Sequence, residues 1–115
     1  MNPKSILVVY ATPTSSEQKK TISLVERTLK KCKIKHAIVH RDKLGKKSIE
    51  NKDLAIAVGG DGTFLKTAHF IFNNMPVLGV NSDPEFKEGF FMAASRKDFE
   101  KKFNRILNGD YKIRK

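Results

Sequence analysis

Apolar residues along this chain fall in short runs, separated by longer segments of amphipathic or polar character. The runs occupy residues 4–10, 34–39, 54–58 and 76–80, and each has the length of a β-strand. The apolar runs at residues 4–10 and 54–58 are typical of strands buried on both faces of a parallel sheet. Because helix-length segments lie between the runs, we predict an α/β fold in three layers, a parallel sheet with helices on both faces.

The segment after the first run has the pattern of an amphipathic helix. Ser15 precedes it and Gln18 follows three residues later, which is the spacing of a capping box. Its apolar residues recur every three or four positions and predict one buried stripe: Ile22, Val25, Leu29 and Cys32. The other face is rich in lysine and arginine, and we interpret it as a solvated face.

Two more helices are predicted further along. One covers residues 64–72 and stops at the sequence NNMP of residues 73–76. The other begins at Ser95, with Asp98 three residues on, and ends at Asn108 and Gly109. Its predicted buried stripe consists of Phe99, Phe103, Ile106 and Leu107. The polar segment 41–52 predicts a loop with a short element near residues 48–50.

A glycine-rich turn, GGDGT at residues 59–63, joins the third apolar run to the helix after it. A strand, a glycine turn and a helix together place backbone N–H groups and a helix N-terminus where they can meet a phosphate. The glycines also permit φ > 0 and a close approach of a ligand to the backbone. Asp61 would repel a phosphate, so it suggests another role: holding Mg²⁺, or accepting a proton from a hydroxyl. The alternative is a tight turn in which Asp61 is only a helix N-cap.

In parallel sheets, ligands bind at the carboxyl ends of the strands. This rule places three polar segments along one edge of the predicted sheet: residues 12–14, 59–63 and 81–84. We therefore expect any binding site to lie there.

The charge balance favours anionic partners. The 115 residues carry 23 lysines and arginines against 12 aspartates and glutamates, a net charge of +11. Nucleic-acid binding would rest on this charge alone, because no recognition-helix or aromatic stacking pattern accompanies it, and we do not expect it. The single Cys32, the absence of a signal-peptide pattern and the lack of a ~20-residue apolar run predict a cytoplasmic protein with no membrane partner.

The histidines do not predict a metal site. His36 and His40 lie two positions either side of Ile38, on one side of the predicted second strand, but no cysteine or carboxylate accompanies them at ligand spacing. His69 falls within a predicted helix, where we expect it to be packed or partly exposed. We expect no metal ligands among the protein side chains.

The sequence resembles a known family at two places. GGDGTFL at residues 59–65, followed by PVLGVN at residues 76–81, is similar to the N-terminal domain of ATP-dependent NAD kinases. Lipid kinases that act on diacylglycerol or sphingosine share the GGDG turn but usually continue it differently from Leu65 and Lys66. GFF at residues 89–91 and GDY at residues 109–111 resemble later segments of the same family.

The resemblance implies a Rossmann-like fold, the N-terminal half of an NAD kinase, and a transfer of phosphate from ATP to the adenosine ribose 2′-hydroxyl of NAD, giving NADP. Asp61 would be the catalytic base, and Mg²⁺ or another divalent cation would assist. The nucleotide-binding residues would be Gly59, Gly60, Asp61, Gly62, Thr63, Phe64, Lys66 and Asn81. Asn81 is followed by Ser82 where the commoner family form has glycine, so we assign Ser82 and Asp83 no ligand role.

The resemblance also predicts how the chain divides into domains. Residues 1–110 would form the nucleotide-binding α/β domain, and residues 111–115 would begin a strand leading into a second, β-rich domain. That second domain carries further substrate contacts in the family, so we expect 115 residues alone to be inactive. An unpaired strand at Tyr111 and apolar surface at residues 90–92 would favour a homo-oligomer. The alternatives are a non-catalytic nucleotide-binding or assembly module and a fragment of a lipid kinase.

Overall fold

Five parallel strands form one sheet in the computed structural model of the chain, in the order β2-β1-β3-β4-β5. The structure describes residues 3–71, 75–82, 94–95 and 97–108, except for the side chain of residue 61. The strands are β1 (Ser5–Tyr10), β2 (Lys35–His40), β3 (Leu54–Gly59), β4 (Val77–Asn81) and β5 (Ala94–Ser95). The predicted parallel α/β fold is confirmed, and the four predicted strands agree with β1 to β4 to within one residue at each end.

Helices cover both faces of the sheet. They are α1 (Ser16–Lys31), α2 (Lys46–Ile49), α3 (Asp61–His69) and α4 (Phe99–Leu107), with a 3₁₀ turn at Arg41–Lys43. The core on one face joins Ile6 and Val8 to Val25 of α1 and Phe99 of α4. The core on the other face joins alternate residues of β1 to Leu44 and to residues near α2 and α3.

β3 lies at the centre of the sheet, and all six of its residues are buried. Its pairing with β1 is fixed at the amino end by Asp53. The carboxylate of Asp53 accepts hydrogen bonds from the backbone N–H groups of Lys4, at 2.7 Å, and Ser5, at 3.2 Å. The two strands are thereby aligned in register along their length, from Ile6 opposite Leu54 to Tyr10 opposite Val58.

The predicted start of α1 is confirmed with one difference. Ser15 is the N-cap, and its Oγ accepts the N–H of Gln18 at 3.2 Å. The Gln18 side chain reaches one residue further back than a standard capping box, because its Oε1 accepts the N–H of Thr14 at 2.7 Å. Val25 and Leu29 of the predicted stripe are fully buried, and Ile22 and Cys32 pack partly buried against the same core.

The predicted start of the last helix is wrong. Ser95 ends β5 rather than capping a helix, and α4 has Asp98 as its N-cap. Asp98 reaches back instead: its Oδ1 accepts the N–H of Ser95 at 2.6 Å. Burial raises the pKa of Asp98, but the Ser95 hydrogen bond and Lys102, 3.2 Å away, outweigh burial and leave that pKa below its usual value. Phe99 and Phe103 stack on each other in the core, as the stripe predicted.

Other predictions at the ends of segments have mixed outcomes. The short element of the polar segment lies at Lys46–Ile49, slightly before its predicted place. The predictions at residues 73–74, 83, 89–91 and 109–115, including the strand leading to a second domain, fall outside the described residues. No helix in the described part of the chain has both the length and the apolar character needed to cross a membrane.

Candidate functional site

The carboxyl ends of the strands meet at one edge of the sheet, because all the strands are parallel. β1 ends at Tyr10, β2 at His40, β3 at Gly59 and β4 at Asn81. Gly59 lies opposite Asn81, and the N–H of Ser82 donates to the Gly59 carbonyl at 3.0 Å. The glycine turn and the end of β4 are thus neighbours, as the sequence predicts for an edge that binds a ligand.

The glycine turn is shorter than predicted, since α3 begins at Asp61 rather than at Phe64. Gly60 is the N-cap, with φ −112° and ψ −169°, and it offers no side chain to cap the helix. The alternative in which Asp61 is only a helix N-cap does not hold, because Gly60 is the N-cap and Asp61 is the first residue of α3. The side chain of Asp61 lies outside what the structure describes, and its role as catalytic base stays a prediction.

The glycines of this turn are explained by the space around them and not by a left-handed backbone. None of Gly59, Gly60 and Gly62 has φ in the left-handed region, so the φ > 0 that glycine permits is not used at these three positions. A Cβ on Gly59 would lie 2.6 Å from Thr63 Oγ1, closer than real Cβ contacts come. A Cβ on Gly60 would meet nothing within 4 Å. Gly59 is thus required by the packing of α3, whereas Gly60 leaves open space beside the helix N-terminus.

Thr63 ties the first turn of α3 to the rest of the edge. It is buried, with 1% of its surface exposed, and its carbonyl accepts a hydrogen bond from the Thr67 hydroxyl at 2.8 Å. Its own hydroxyl accepts a hydrogen bond from Nη1 of Arg41 at 3.3 Å. Arg41 follows β2, two strands away from β3 in the sheet, so this contact spans the end of β1.

His40, the last residue of β2, connects three segments of the edge. Its Nδ1 accepts the backbone N–H of Asp42 at 3.1 Å, and its Nε2 lies 2.7 Å from the Thr12 hydroxyl. Because Nδ1 accepts a hydrogen bond, the neutral ring carries its proton on Nε2 and donates it to Thr12. The ring also packs edge-on against Tyr10. His40 therefore fixes the 3₁₀ turn against the loop that follows β1.

Lys66 of α3 pairs with Asp42 at the same edge. Its Nζ lies 3.3 Å from Asp42 Oδ1, and both side chains are substantially exposed. The hydrogen bond from Lys66 is the main cause that lowers the pKa of Asp42 below its usual value. An exposed pair of this kind adds little to stability. Its effect is to hold the ammonium group of Lys66 over the turn that carries Arg41.

The remaining predicted binding residues lie on the same edge. Phe64 is half-buried in the first turn of α3, where its N–H donates to the Gly60 carbonyl at 3.1 Å. Asn81 is half-buried at the end of β4. The next residue, Ser82, is held by α1, because the hydroxyl of buried Thr21 lies 3.2 Å from its carbonyl oxygen.

Metal ligands do not cluster within the described residues, where no group of three or more histidine, cysteine or acidic side chains could hold an ion. His36 does not join His40, because its Nδ1 lies 3.0 Å from the Ile34 carbonyl oxygen. The chemistry available to the described edge is instead that of anion binding. It offers a helix N-terminus, an open glycine and two cationic side chains, Arg41 and Lys66.

The sequence interpretation missed the contribution of His40, Arg41 and Asp42. The rule that selected the ends of the other strands applies equally to β2, whose end is at His40. The pattern of residues 41–52 predicts a polar loop with one short element, and nothing in the sequence separates Arg41 from the other basic residues of this loop.

Known proteins match almost the whole chain. Residues 4–111 match the family described as the ATP-NAD kinase N-terminal domain. A probable NADH kinase of Oryza sativa subsp. japonica is 35% identical over 94% of this chain and 37% of its own length. An NADH kinase of Arabidopsis thaliana is 33% identical over 94% of this chain and 38% of its own. An NAD kinase of Porphyromonas gingivalis is 42% identical over 56% of this chain and 22% of its own.

These matches identify the family of the chain, and they show how much of each relative the chain spans. The chain spans less than two fifths of the length of each of these relatives. The matched region includes every strand and helix of the sheet described above and the whole glycine turn. On this evidence the chain belongs to the ATP-NAD kinase family, whose N-terminal domain it matches.

Proposed function

We propose that this chain supplies the glycine-turn half of a site that phosphorylates the adenosine ribose 2′-hydroxyl of NAD or NADH, with ATP as donor. The observation that carries the proposal is the geometry of residues 59–63 in a chain of this family. Gly60 leaves open space at the N-terminus of α3, at the carboxyl edge of a parallel sheet. The names of the relatives, NAD kinase and NADH kinase, support this substrate class.

The first requirement of the reaction is to hold phosphate. The backbone N–H groups in the first turn of a helix have no partner within the helix, and the helix dipole adds partial positive charge there. At α3 that end is flanked by Gly60 and Gly62, which allow a ligand to approach the backbone. The net charge of +11 favours the approach of anionic nucleotides.

The second requirement is to activate the acceptor. The 2′-hydroxyl of NAD gives its proton to the carboxylate of Asp61, and its oxygen attacks the γ-phosphorus of ATP as ADP leaves. A base in this role contributes about 10²- to 10⁴-fold to a reaction rate. A divalent cation bound with ATP would neutralise part of the negative charge of the phosphates.

We propose that further contacts to the two nucleotides come from residues beyond those described. The relatives are more than twice as long as this chain. We therefore propose that residues 1–115 alone do not turn over NAD. We also propose that activity requires a second, β-rich domain and that the active protein is a homo-oligomer.

The test is an assay of the full natural chain with ATP, Mg²⁺ and either NAD or NADH. An NADP-specific dehydrogenase reports the product, because it distinguishes the 2′-phosphate from phosphate at any other position. Asp61→Asn should remove most of the activity. Glu26→Gln is the matched control, since Glu26 lies on α1 and pairs with Lys30. Absence of NADP and NADPH formation, or phosphorylation of diacylglycerol or sphingosine instead, would overturn the proposal.

A further inference from the structure

Arg41 is held at the edge of the sheet by two contacts and leaves much of its side chain in solvent. Its Nη1 donates to Thr63 Oγ1 at 3.3 Å, and its Nε lies 3.9 Å from Asp42 Oδ1. The side chain is 41% exposed. A guanidinium group carries five N–H donors in a planar fork, and these contacts occupy two of its three nitrogens. Donors therefore remain available for a ligand that approaches from solvent.

The guanidinium group of Arg41 lies close to the N-terminus of α3. A Cβ added to Gly62 would lie 3.7 Å from Nη1, so the group lies beside the first turn of α3. Gly62 itself is exposed. On the Gly62 side, the space next to the guanidinium group is thus bordered by backbone, because glycine has no side chain.

The charges at this position are unbalanced among the described side chains. The guanidinium group and the helix N-terminus are both positive and adjacent, which is unfavourable unless an anion lies near them. Among the described side chains, Asp42 is shared by two cations, because its Oδ1 lies 3.9 Å from Arg41 Nε and 3.3 Å from Lys66 Nζ. The net positive charge of these three side chains favours a phosphate beside them.

From this geometry we propose that Arg41 binds a phosphate group of a nucleotide substrate at the N-terminus of α3, an assignment that rests on the proposed function. Arg41 donates to the phosphate from its exposed edge while Thr63 holds Nη1 in place. Asp42 keeps Arg41 and Lys66 oriented before the nucleotide arrives. Arginine suits this role because its fork matches the spacing of phosphate oxygens.

Two phosphate groups could occupy this place, the triphosphate of the donor and the pyrophosphate of NAD. They share the same chemistry, and the kinetics of the full natural chain separate them. Arg41→Gln should raise KM about 10- to 100-fold for the substrate whose phosphate Arg41 binds, the range of a charge-assisted hydrogen bond. The other KM should change much less. Arg41→Lys should restore part of the loss, since it keeps the charge but not the fork.

Arg27→Gln is the matched control, because Arg27 is an exposed arginine on α1. It should leave both KM values and the melting temperature unchanged. Thr63→Val tests a purely structural role, in which Arg41 acts only through the Thr63 hydroxyl. In that case Thr63→Val would reproduce the effect of Arg41→Gln, and the double variant would add nothing to it.

Calorimetric titration with inorganic tripolyphosphate keeps this test independent of activity. The unaltered chain should bind it at least tenfold more tightly than Arg41→Gln does, at an unchanged melting temperature. If the unaltered protein forms no NADP or NADPH, the proposed function fails, but the titration still decides whether Arg41 binds phosphate. The inference is overturned if both KM values and the tripolyphosphate affinity stay within threefold, or if Thr63→Val accounts for the whole effect.

Discussion

Gly59 and Gly60 are adjacent, yet the structure predicts opposite consequences when each is replaced by alanine. The methyl group of Gly59→Ala would lie 2.6 Å from Thr63 Oγ1 and 3.0 Å from Thr63 Cβ. Thr63 is buried and belongs to a helix, so it cannot turn away without moving the start of α3. The methyl group of Gly60→Ala would meet nothing within 4 Å.

The size of each effect on stability follows from these contacts. Adding atoms to a well-packed site costs about 1–3 kcal/mol, which predicts a melting temperature roughly 4–20 °C lower for Gly59→Ala. For Gly60→Ala, the loss of a favourable N-cap glycine is about 0.5–1 kcal/mol. The lower conformational entropy of the unfolded chain offsets this loss by about 0.4–1 kcal/mol. Gly60→Ala should therefore be nearly neutral in stability.

For nucleotide affinity we expect the reverse order, with the larger loss in Gly60→Ala. A methyl group on Gly60 occupies the space that we assign to a phosphate, so Gly60→Ala should weaken nucleotide binding by about 10- to 100-fold, as for the loss of one charge-assisted hydrogen bond. Thermal melting of both purified variants, together with calorimetric titration of ATP and NAD, measures the two effects separately. Folded Gly59→Ala protein should lose less affinity than Gly60→Ala does.

A double variant tests whether the clash with Thr63 causes the destabilisation of Gly59→Ala. Thr63→Ala removes the oxygen nearest the new methyl group, so Gly59→Ala with Thr63→Ala should be less destabilised than the sum of the single variants. Strict additivity would refute the clash as the cause. Normal nucleotide affinity in Gly60→Ala would refute the assignment of the open space to a phosphate.

Three further predictions concern single side chains. Asp61→Asn should lower kcat of the full natural chain by about 10²- to 10⁴-fold, and a loss below threefold in NADPH-coupled kinetics would contradict a role as base. Thr21→Val should cost about 0.5–1.5 kcal/mol in urea unfolding, because it removes a buried hydroxyl whose single proton is shared between the Glu17 carbonyl at 3.0 Å and the Ser82 carbonyl at 3.2 Å. Unchanged stability would contradict these contacts. The lowered pKa of Asp98 makes its contribution to stability full above the ordinary pKa of 3.8 and lost as pH falls through the lowered value. The difference in unfolding free energy between the unaltered chain and Asp98→Asn should thus shrink from pH 6 to pH 3, and a difference that grew instead would show the reasoning to be wrong.

Most of the fold was predictable because the central strands β1 and β3 are buried on both faces, whereas the edge strand β2 is largely exposed. Burial on both faces gives unbroken apolar runs, and runs such as ILVV and LAIAV admit few other interpretations. β5 escaped prediction because two residues, Ala94 and Ser95, carry no such pattern. The start of α3 was misplaced because Asp61 and Gly62 have low helix propensity, whereas packing against the sheet decides that they are helical.

The candidate site was predictable only where its residues are consecutive in the sequence. Residues 59–63 form one continuous segment, so the sequence pattern alone marked them. The contact between Arg41 and Thr63 depends on the order of the strands, since Arg41 reaches past the end of β1 to meet α3. Strand order is set by tertiary packing, and a single sequence does not reveal which strands become neighbours.

The strand order also has a consequence for how the chain is made. β1 is translated first, yet in the sheet it pairs with both β2 and β3. β3 begins roughly 45 residues after β1 ends, which is about 2–9 s of synthesis at typical rates. Until then an edge of β1 and its apolar residues Ile6–Val9 lack their native cover, a state prone to wrong pairing. Substitutions that make β1 more hydrophobic should therefore reduce soluble yield in cells more than equal changes in β4, because one of the two partners of β4, β3, has already been synthesised.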